Sequence, residues 1–283
     1  SNQNIVQPWD QKNFTLPEGN AHEGENANLI SLYPAIIRKK TKGNFPAPET
    51  ILSIAAEGSL VDFKTASRVE SRFFTELLLK KTTKNILNAN WYQLKNIRSG
   101  LSRPEKPPKT TTSKVGVLGA GLMGHGIAYV SAKAGLNVIM IDSNKLIADK
   151  GLKNIKNILL ADIEKQNISN SAFEKTLDRI TATSKYSQLD GCDLVIEAVF
   201  EDENLKGSVT IEAEKNIKND KVFASNTSTI PITTLAEKSN SPENFIGVHF
   251  FSPVNRMKLV EIIKGEKTSP YALAKAFDYA LKI

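Results

Sequence analysis

From residue 115 onward, apolar side chains come in short dense runs separated by stretches where they recur every three or four positions, a rhythm that predicts strands alternating with helices. Residues 115–118 and 137–141 are such runs, and between them Ile127, Val130 and Ala134 mark one face of a helix. A helix follows over 146–164 and a short β-rich segment over 180–184. Residues 193–199 are apolar almost without interruption, the pattern of a strand covered on both faces. A crossover helix over 204–217, strands over 221–224, 245–251 and 259–263, and a final helix from residue 270 complete the series. The alternation implies an α/β fold with a doubly wound, mainly parallel sheet.

The first 113 residues have a different texture. Residues 1–46 are polar, with Gly19, Gly24, Gly43 and several prolines, and read as an irregular surface connector. A short helical run spans 50–56 and ends at Gly58; Asp62 caps a second helix whose stripe is Phe63, Ala66, Val69, Phe73 and Leu77. A third, over 83–98, carries Leu87, Trp91 and Leu94 and stops before Gly100. These helices have faces to bury but are too few to form a core. Residues 103–113, rich in Pro, Lys and Thr, read as a linker, so the division is an interdomain connector with helices over 1–113 and a second domain over 114–283.

The join between the first two strands of that second domain carries chemistry. Gly119, Gly121 and Gly124 fit G-x-G-x-x-G between a strand and a helix, and Asp142 closes the second strand. The first glycine allows the turn, the second lets a pyrophosphate approach the backbone, and the third lets helix and sheet pack closely. Free N–H groups and the dipole at the helix start favour the phosphate charge. A carboxylate at 142 accepts hydrogen bonds from an adenosine ribose diol and repels a 2′-phosphate, which selects NAD over NADP. The fold is then expected to be Rossmann-type.

Composition narrows the picture little. The 283 residues are 40% hydrophobic and carry a formal charge of +7, mostly lysine scattered among acids, with no arginine stripe or aromatic interleaving to suggest nucleic acid. Lys150, Lys153 and Lys156 read chiefly as a wet helix face. The single Cys192 excludes an internal disulfide and reads as a small buried side chain. With no run of about 18 apolar residues, no membrane insertion is expected, no metal ligand set is evident, and a cytoplasmic location is expected. A start at Ser1 without methionine suggests a fragment.

Two ionisable residues near the C-terminus pair by arithmetic. If the strands holding His249 and Glu261 are antiparallel, their midpoint is Asn255, inside the turn that contains Pro253, and the two side chains face each other. An imidazole with a carboxylate on its other nitrogen is a base suited to taking an alcohol proton as hydride leaves. A satisfied core histidine is the plainer reading, and spacing alone leaves both open. The polar turn 225–229 is equally ambiguous: ordinary strand-end chemistry, or groups that hold a substrate oxygen. His125 has no catalytic role beside a pyrophosphate.

Taken together, the glycine turn followed by GIA, IEAVFE, FASNTS, and HFFSPV followed by KLVEII resemble the NAD-binding domain of L-3-hydroxyacyl-CoA dehydrogenase. The resemblance implies His249 as catalytic base, Glu261 as its partner and Ser228 beside the substrate hydroxyl and nicotinamide. It implies NAD contacts from Gly119, Gly121, Leu122, Met123, Gly124, Asp142, Val199, Phe200, Glu201, Lys206 and Ser228, and from Ser252, where many members carry asparagine. The sheet is then mainly parallel with an antiparallel edge and is preceded by a helical linker segment. Pro8-Trp9-Asp10, FPAPETIL, DFKTASRVESRFF and LKNIRSGLSRP within the first 113 residues resemble the segment joining hydratase and dehydrogenase in the multifunctional α subunit of bacterial fatty-acid β-oxidation. That resemblance implies an acyl-CoA substrate, an enoyl-CoA hydratase (lyase) domain elsewhere in the parent protein, and a thiolase subunit and homodimer as partners of the full-length enzyme. Two other readings stand beside it: a β-hydroxyacid dehydrogenase, which would use a lysine base, and a fragment that binds NAD(H) without turnover.

Overall fold

The computed structural model describes residues 6–218 and 220–283. Two compact units divide between residues 100 and 101. In the first, helices α1 (Gly24–Thr41), α2 (Pro46–Gly58) and α3 (Phe63–Leu79) precede a long irregular helix. That helix comprises α4 (Lys81–Leu87), a widened π-type stretch (Asn88–Gln93) and α5 (Leu94–Arg98). Asp62 caps α3 as its sequence position implies, accepting from the Thr65 amide at 3.0 Å. The irregular connector expected over 1–46 is corrected in part: residues 24–41 are helical. Leu29, Ile30, Tyr33, Ile36 and Ile37 recur at helical spacing there, and Pro34 is accommodated inside the helix at the loss of one backbone donor. Among the described residues of this unit only Ala21 is buried.

The second unit holds, in chain order, β1 (Lys114–Leu118), α6 (Leu122–Lys133), β2 (Asn137–Ile141), α7 (Lys145–Glu164), α8 (Asn170–Leu177) and β3 (Ile180–Thr183). There follow β4 (Leu194–Glu197), α9 (Glu203–Glu214), β5 (Val222–Ser225), the short α10 (Ile232–Ala236), β6 (Phe245–Phe250), β7 (Val260–Ile263) and α11 (Pro270–Lys282). Helix α8, capped by Ser169, has no counterpart in the expected series. Among the described residues the strands form one sheet in the order β3-β2-β1-β4-β5-β6-β7, parallel except for the last pair. Apolar clusters cover both faces, one built on Val117, Ile127 and Ile196, the other on Leu118, Val195 and Phe223. The winding reverses between β1 and β4, so the carboxyl ends of those strands open the crevice where such sheets take ligands.

This unit begins at residue 101, ahead of the boundary suggested by composition, because the Pro-rich segment is fastened to it. Arg103 gives two bonds to Asp278 on α11, at 2.8 and 3.0 Å, and three more to the carbonyls of Pro104, Pro107 and Pro108. Thr110 donates its amide and hydroxyl to the same carboxylate, and Lys275 and Lys282 reach the carbonyls of Thr111 and Thr112. A stretch without apolar content is thereby held through polar bonds. Burial alone would raise the Asp278 carboxyl, but the bonds from Arg103 and Thr110 outweigh it and hold the group below the usual aspartate range.

Candidate active site

The glycine turn leaves β1 and enters α6. Gly119 has φ +95°, and a Cβ there would lie 2.6 Å from the Ala198 carbonyl oxygen; at Gly124 it would lie 1.7 Å from that of Gly119. No side chain fits at either place. Gly121, by contrast, faces open space, and it precedes α6 with no side-chain cap, leaving the amides of the first turn to an incoming anion. His125, without a catalytic role in the sequence reading, places its Nδ1 2.6 Å from the Gly121 carbonyl and braces the turn.

Asp142 stands at the end of β2 with Oδ2 accepting from the Ala120 amide at 2.7 Å and Oδ1 from the Ser143 amide at 2.7 Å. These bonds fix the carboxylate at the mouth of a cleft of about 340 Å³ whose lining includes Gly119, Gly121, Tyr186, Val199, Phe200 and Leu205. The volume lies within the range of small-ligand sites. Leu122 is exposed at the helix start, and Met123 is half-buried against the core behind it. Cys192 lies buried next to β4; burial pushes its thiol up to about 11, so it remains a protonated packing group.

Across the crevice a polar network ties the end of β4 to the end of β5. Lys206 is 2% exposed, and its Nζ lies 2.9 and 3.1 Å from the two carboxylate oxygens of Glu197 and 3.1 Å from Oε2 of Glu201. Glu197 also accepts from the Val199 amide and the Ser225 hydroxyl, both at 2.7 Å. Oε1 of Glu201 accepts from the Thr227 hydroxyl at 2.5 Å and from the Ser228 and Thr229 amides at 3.0 and 3.1 Å. Burial alone would raise the Glu201 carboxyl; the Thr227 bond and then Lys206 outweigh it and bring the group down to about 2. Sequence reasoning named Glu201, Lys206 and Ser228 but passed over Glu197, whose place at the end of an apolar strand hid a charged partner nine residues away.

His249 and Glu261 face each other on β6 and β7 in the register expected, and the imidazole Nδ1 lies 2.8 Å from the Glu261 carboxylate. With Nδ1 as the donor in that bond, Nε2 keeps its lone pair. The imidazole side chain is 18% exposed and meets the Phe251 ring edge-on at 4.7 Å. Asn226, at the start of the polar turn, accepts from the Phe250 amide at 2.8 Å, which joins the turn bearing Ser228 to the strand bearing His249. Ser252 is exposed in the turn after β6, where it precedes a cis proline. The structure thus places the glycine turn, the 199–201 loop, the 225–229 turn and the histidine–glutamate pair at the carboxyl ends of β1, β4, β5 and β6 in one sheet.

The 3-hydroxyacyl-CoA dehydrogenase, NAD binding domain family matches residues 114–283. The chain is 34% identical over 249 residues to the fatty acid oxidation complex subunit alpha of Acinetobacter baumannii (strain SDF), covering 88% of this chain and 34% of that protein. The corresponding subunit of Shewanella loihica is 34% identical over 247 residues, 87% of this chain and 35% of that one. The chain therefore spans about a third of the length of these curated relatives. Among solved structures, (S)-3-hydroxybutyryl-CoA dehydrogenase from Ralstonia eutropha superposes with a TM-score of 0.58 at 37% identity, over 60% of this chain and 61% of that one. The chain belongs to the 3-hydroxyacyl-CoA dehydrogenase family, whose NAD-binding domain it carries over residues 114–283.

Proposed function

We propose that this chain carries the NAD half of an enzyme oxidising (S)-3-hydroxyacyl-CoA to 3-ketoacyl-CoA in fatty-acid oxidation. The observation that supports it is the His249–Glu261 pair, in register at 2.8 Å in the sheet whose β1 carries the glycine turn at its carboxyl end. NAD would supply the hydride acceptor; the amides at the start of α6 would hold its pyrophosphate, Asp142 its adenosine ribose, and Glu201 with the 225–229 turn its nicotinamide end. His249 takes the hydroxyl proton at Nε2, and Glu261 steadies the imidazolium that results. Ser228 orients the same hydroxyl.

In the parent protein the helices of residues 1–100 pack against a hydratase domain, and a thiolase subunit and a second copy complete a cytoplasmic assembly. The share of the relatives that this chain spans favours a second reading for the chain alone, that it binds NADH but turns over slowly or not at all. One assay separates the two. NADH oxidation driven by acetoacetyl-CoA is expected in the full-length protein and weak or absent in the chain by itself, although the latter still binds NADH. A full-length protein inert toward every 3-ketoacyl-CoA overturns the assignment, and full activity in the isolated chain overturns the need for the remainder.

A further inference from the structure

Lys206 has its ammonium within 3.1 Å of three carboxylate oxygens. Its ammonium is enclosed, with Glu197 on one side and Glu201 on the other, and each Glu197 oxygen lies within 3.1 Å of it. Glu197 in turn is 1% exposed and meets four groups: Lys206, the Val199 amide, the Ser225 hydroxyl and, through its main-chain carbonyl, the Asn226 amide. These contacts belong to three separate segments: the loop after β4, helix α9 and the end of β5. A buried carboxylate that collects donors from all three sets the spacing between them, because each bond is charge-assisted and short.

We infer that Glu197 is a positioning residue for the cofactor, acting through Lys206. The carboxylate holds the Val199 amide directly, and it fixes the lysine that fixes Glu201. Glu201 then fixes the Ser228 and Thr229 amides. The loop and the turn are thus set to one shape before NAD arrives, and Lys206 influences the cofactor by holding Glu201 still. This deepens the proposal above only in taking the 199–201 loop and the 225–229 turn as the nicotinamide face, and its test uses no acyl-CoA.

The geometry makes Glu197→Gln informative. An amide supplies one acceptor oxygen where the carboxylate supplies two, and its NH₂ group opposes the Val199 amide or Lys206, neither of which can accept in return. NADH is titrated by fluorescence against the whole chain and the variant, and amide hydrogen exchange is followed in both without cofactor. In the unaltered chain the Val199, Ser228 and Thr229 amides are expected to be protected. In the variant these three exchange faster while Val117 and Ile139 in the sheet stay protected, and NADH binds roughly tenfold more weakly or worse, the loss that follows from one misplaced charge-assisted bond. Unchanged NADH affinity in the variant overturns the inference, as does loosening of sheet and loop alike, which marks a merely structural role. If the variant does not fold, exchange in the unaltered chain still decides: free exchange at Val199, Ser228 and Thr229 before NADH is added refutes a site set in advance, and protection there supports it. Failure of acetoacetyl-CoA turnover leaves this result untouched.

Discussion

At the scale of single residues, the role proposed for the pair on β6 and β7 separates chemistry from cofactor binding. His249→Gln keeps a polar side chain near Glu261 but removes the proposed base, so turnover in the full-length protein is expected to fall by about 10²–10⁴-fold, the usual worth of a positioned general base. NADH affinity, measured by fluorescence titration, is expected to stay as it was; a parallel loss of binding places His249 in the cofactor site instead. Glu201 makes a prediction about acid. Its carboxyl is held down at about 2 against an ordinary 4.5, so the stability it lends is fully present above 4.5 and is lost as pH falls from there through about 2. Thr227→Val removes the foremost of the interactions that lower it, which lifts the group toward 4.5. The variant's melting temperature is therefore expected to decline less steeply below pH 4.5 than that of the parent, and parallel curves contradict the assignment of the Thr227 bond as a cause. The three glycines and the register that sets His249 against Glu261 were legible in the sequence because each follows from local spacing. Glu197 was not, since what makes it notable is the burial of Lys206 against it, and burial of a charged pair leaves no mark on either residue's immediate neighbours.

At the scale of elements, the sheet could be read because parallel strands covered on both faces are apolar runs, and the β6–β7 register followed from one turn midpoint. Helix α8 escaped because its eight residues carry only Phe173 and Thr176 as buried positions, too few for a period to show. Helix α1 escaped because Gly24 and Pro34 weigh as breakers in a sequence, although a proline inside a helix costs only local bonds when the rest of the helix forms. The 101–113 segment escaped for a different reason: its order comes from Arg103, whose five N–H donors all find acceptors. Arg103→Ala leaves Asp278 without its cation in a largely dry place, its side chain 6% exposed, and the second unit is expected to lose about 3 kcal/mol, as buried pairs do when one partner is removed. Chemical denaturation with the midpoint and slope both recorded checks this; an unchanged midpoint makes the clasp ornamental.

At the scale of the whole chain, the two units differ in what they bury. The second has a sheet with both faces covered, whereas among the described residues of the first only Ala21 is buried, and Leu32, Phe74, Leu79 and Trp91 stand well exposed. Segments with little buried surface open locally at small cost. Limited proteolysis is therefore expected to cut first within residues 6–100 and to leave a resistant product that starts near residue 101. In Arg103→Ala that start is expected to move to residue 114 or beyond, and mass spectrometry of the product reads the difference directly. A first cut inside the sheet of the unaltered chain contradicts this order.

The clasp also imposes an order of events during synthesis. Arg103 leaves the ribosome 175 residues ahead of Asp278. At roughly 5–20 residues per second that gap lasts about 9–35 s, and throughout it the guanidinium lacks its Asp278 partner. Residues 103–112 therefore lack their partners on α11 until that helix emerges, whereas Ser113 can already meet Asn137 on β2 and Asp193 beside β4. Anything upstream of Arg103 has that interval in which to fold untethered.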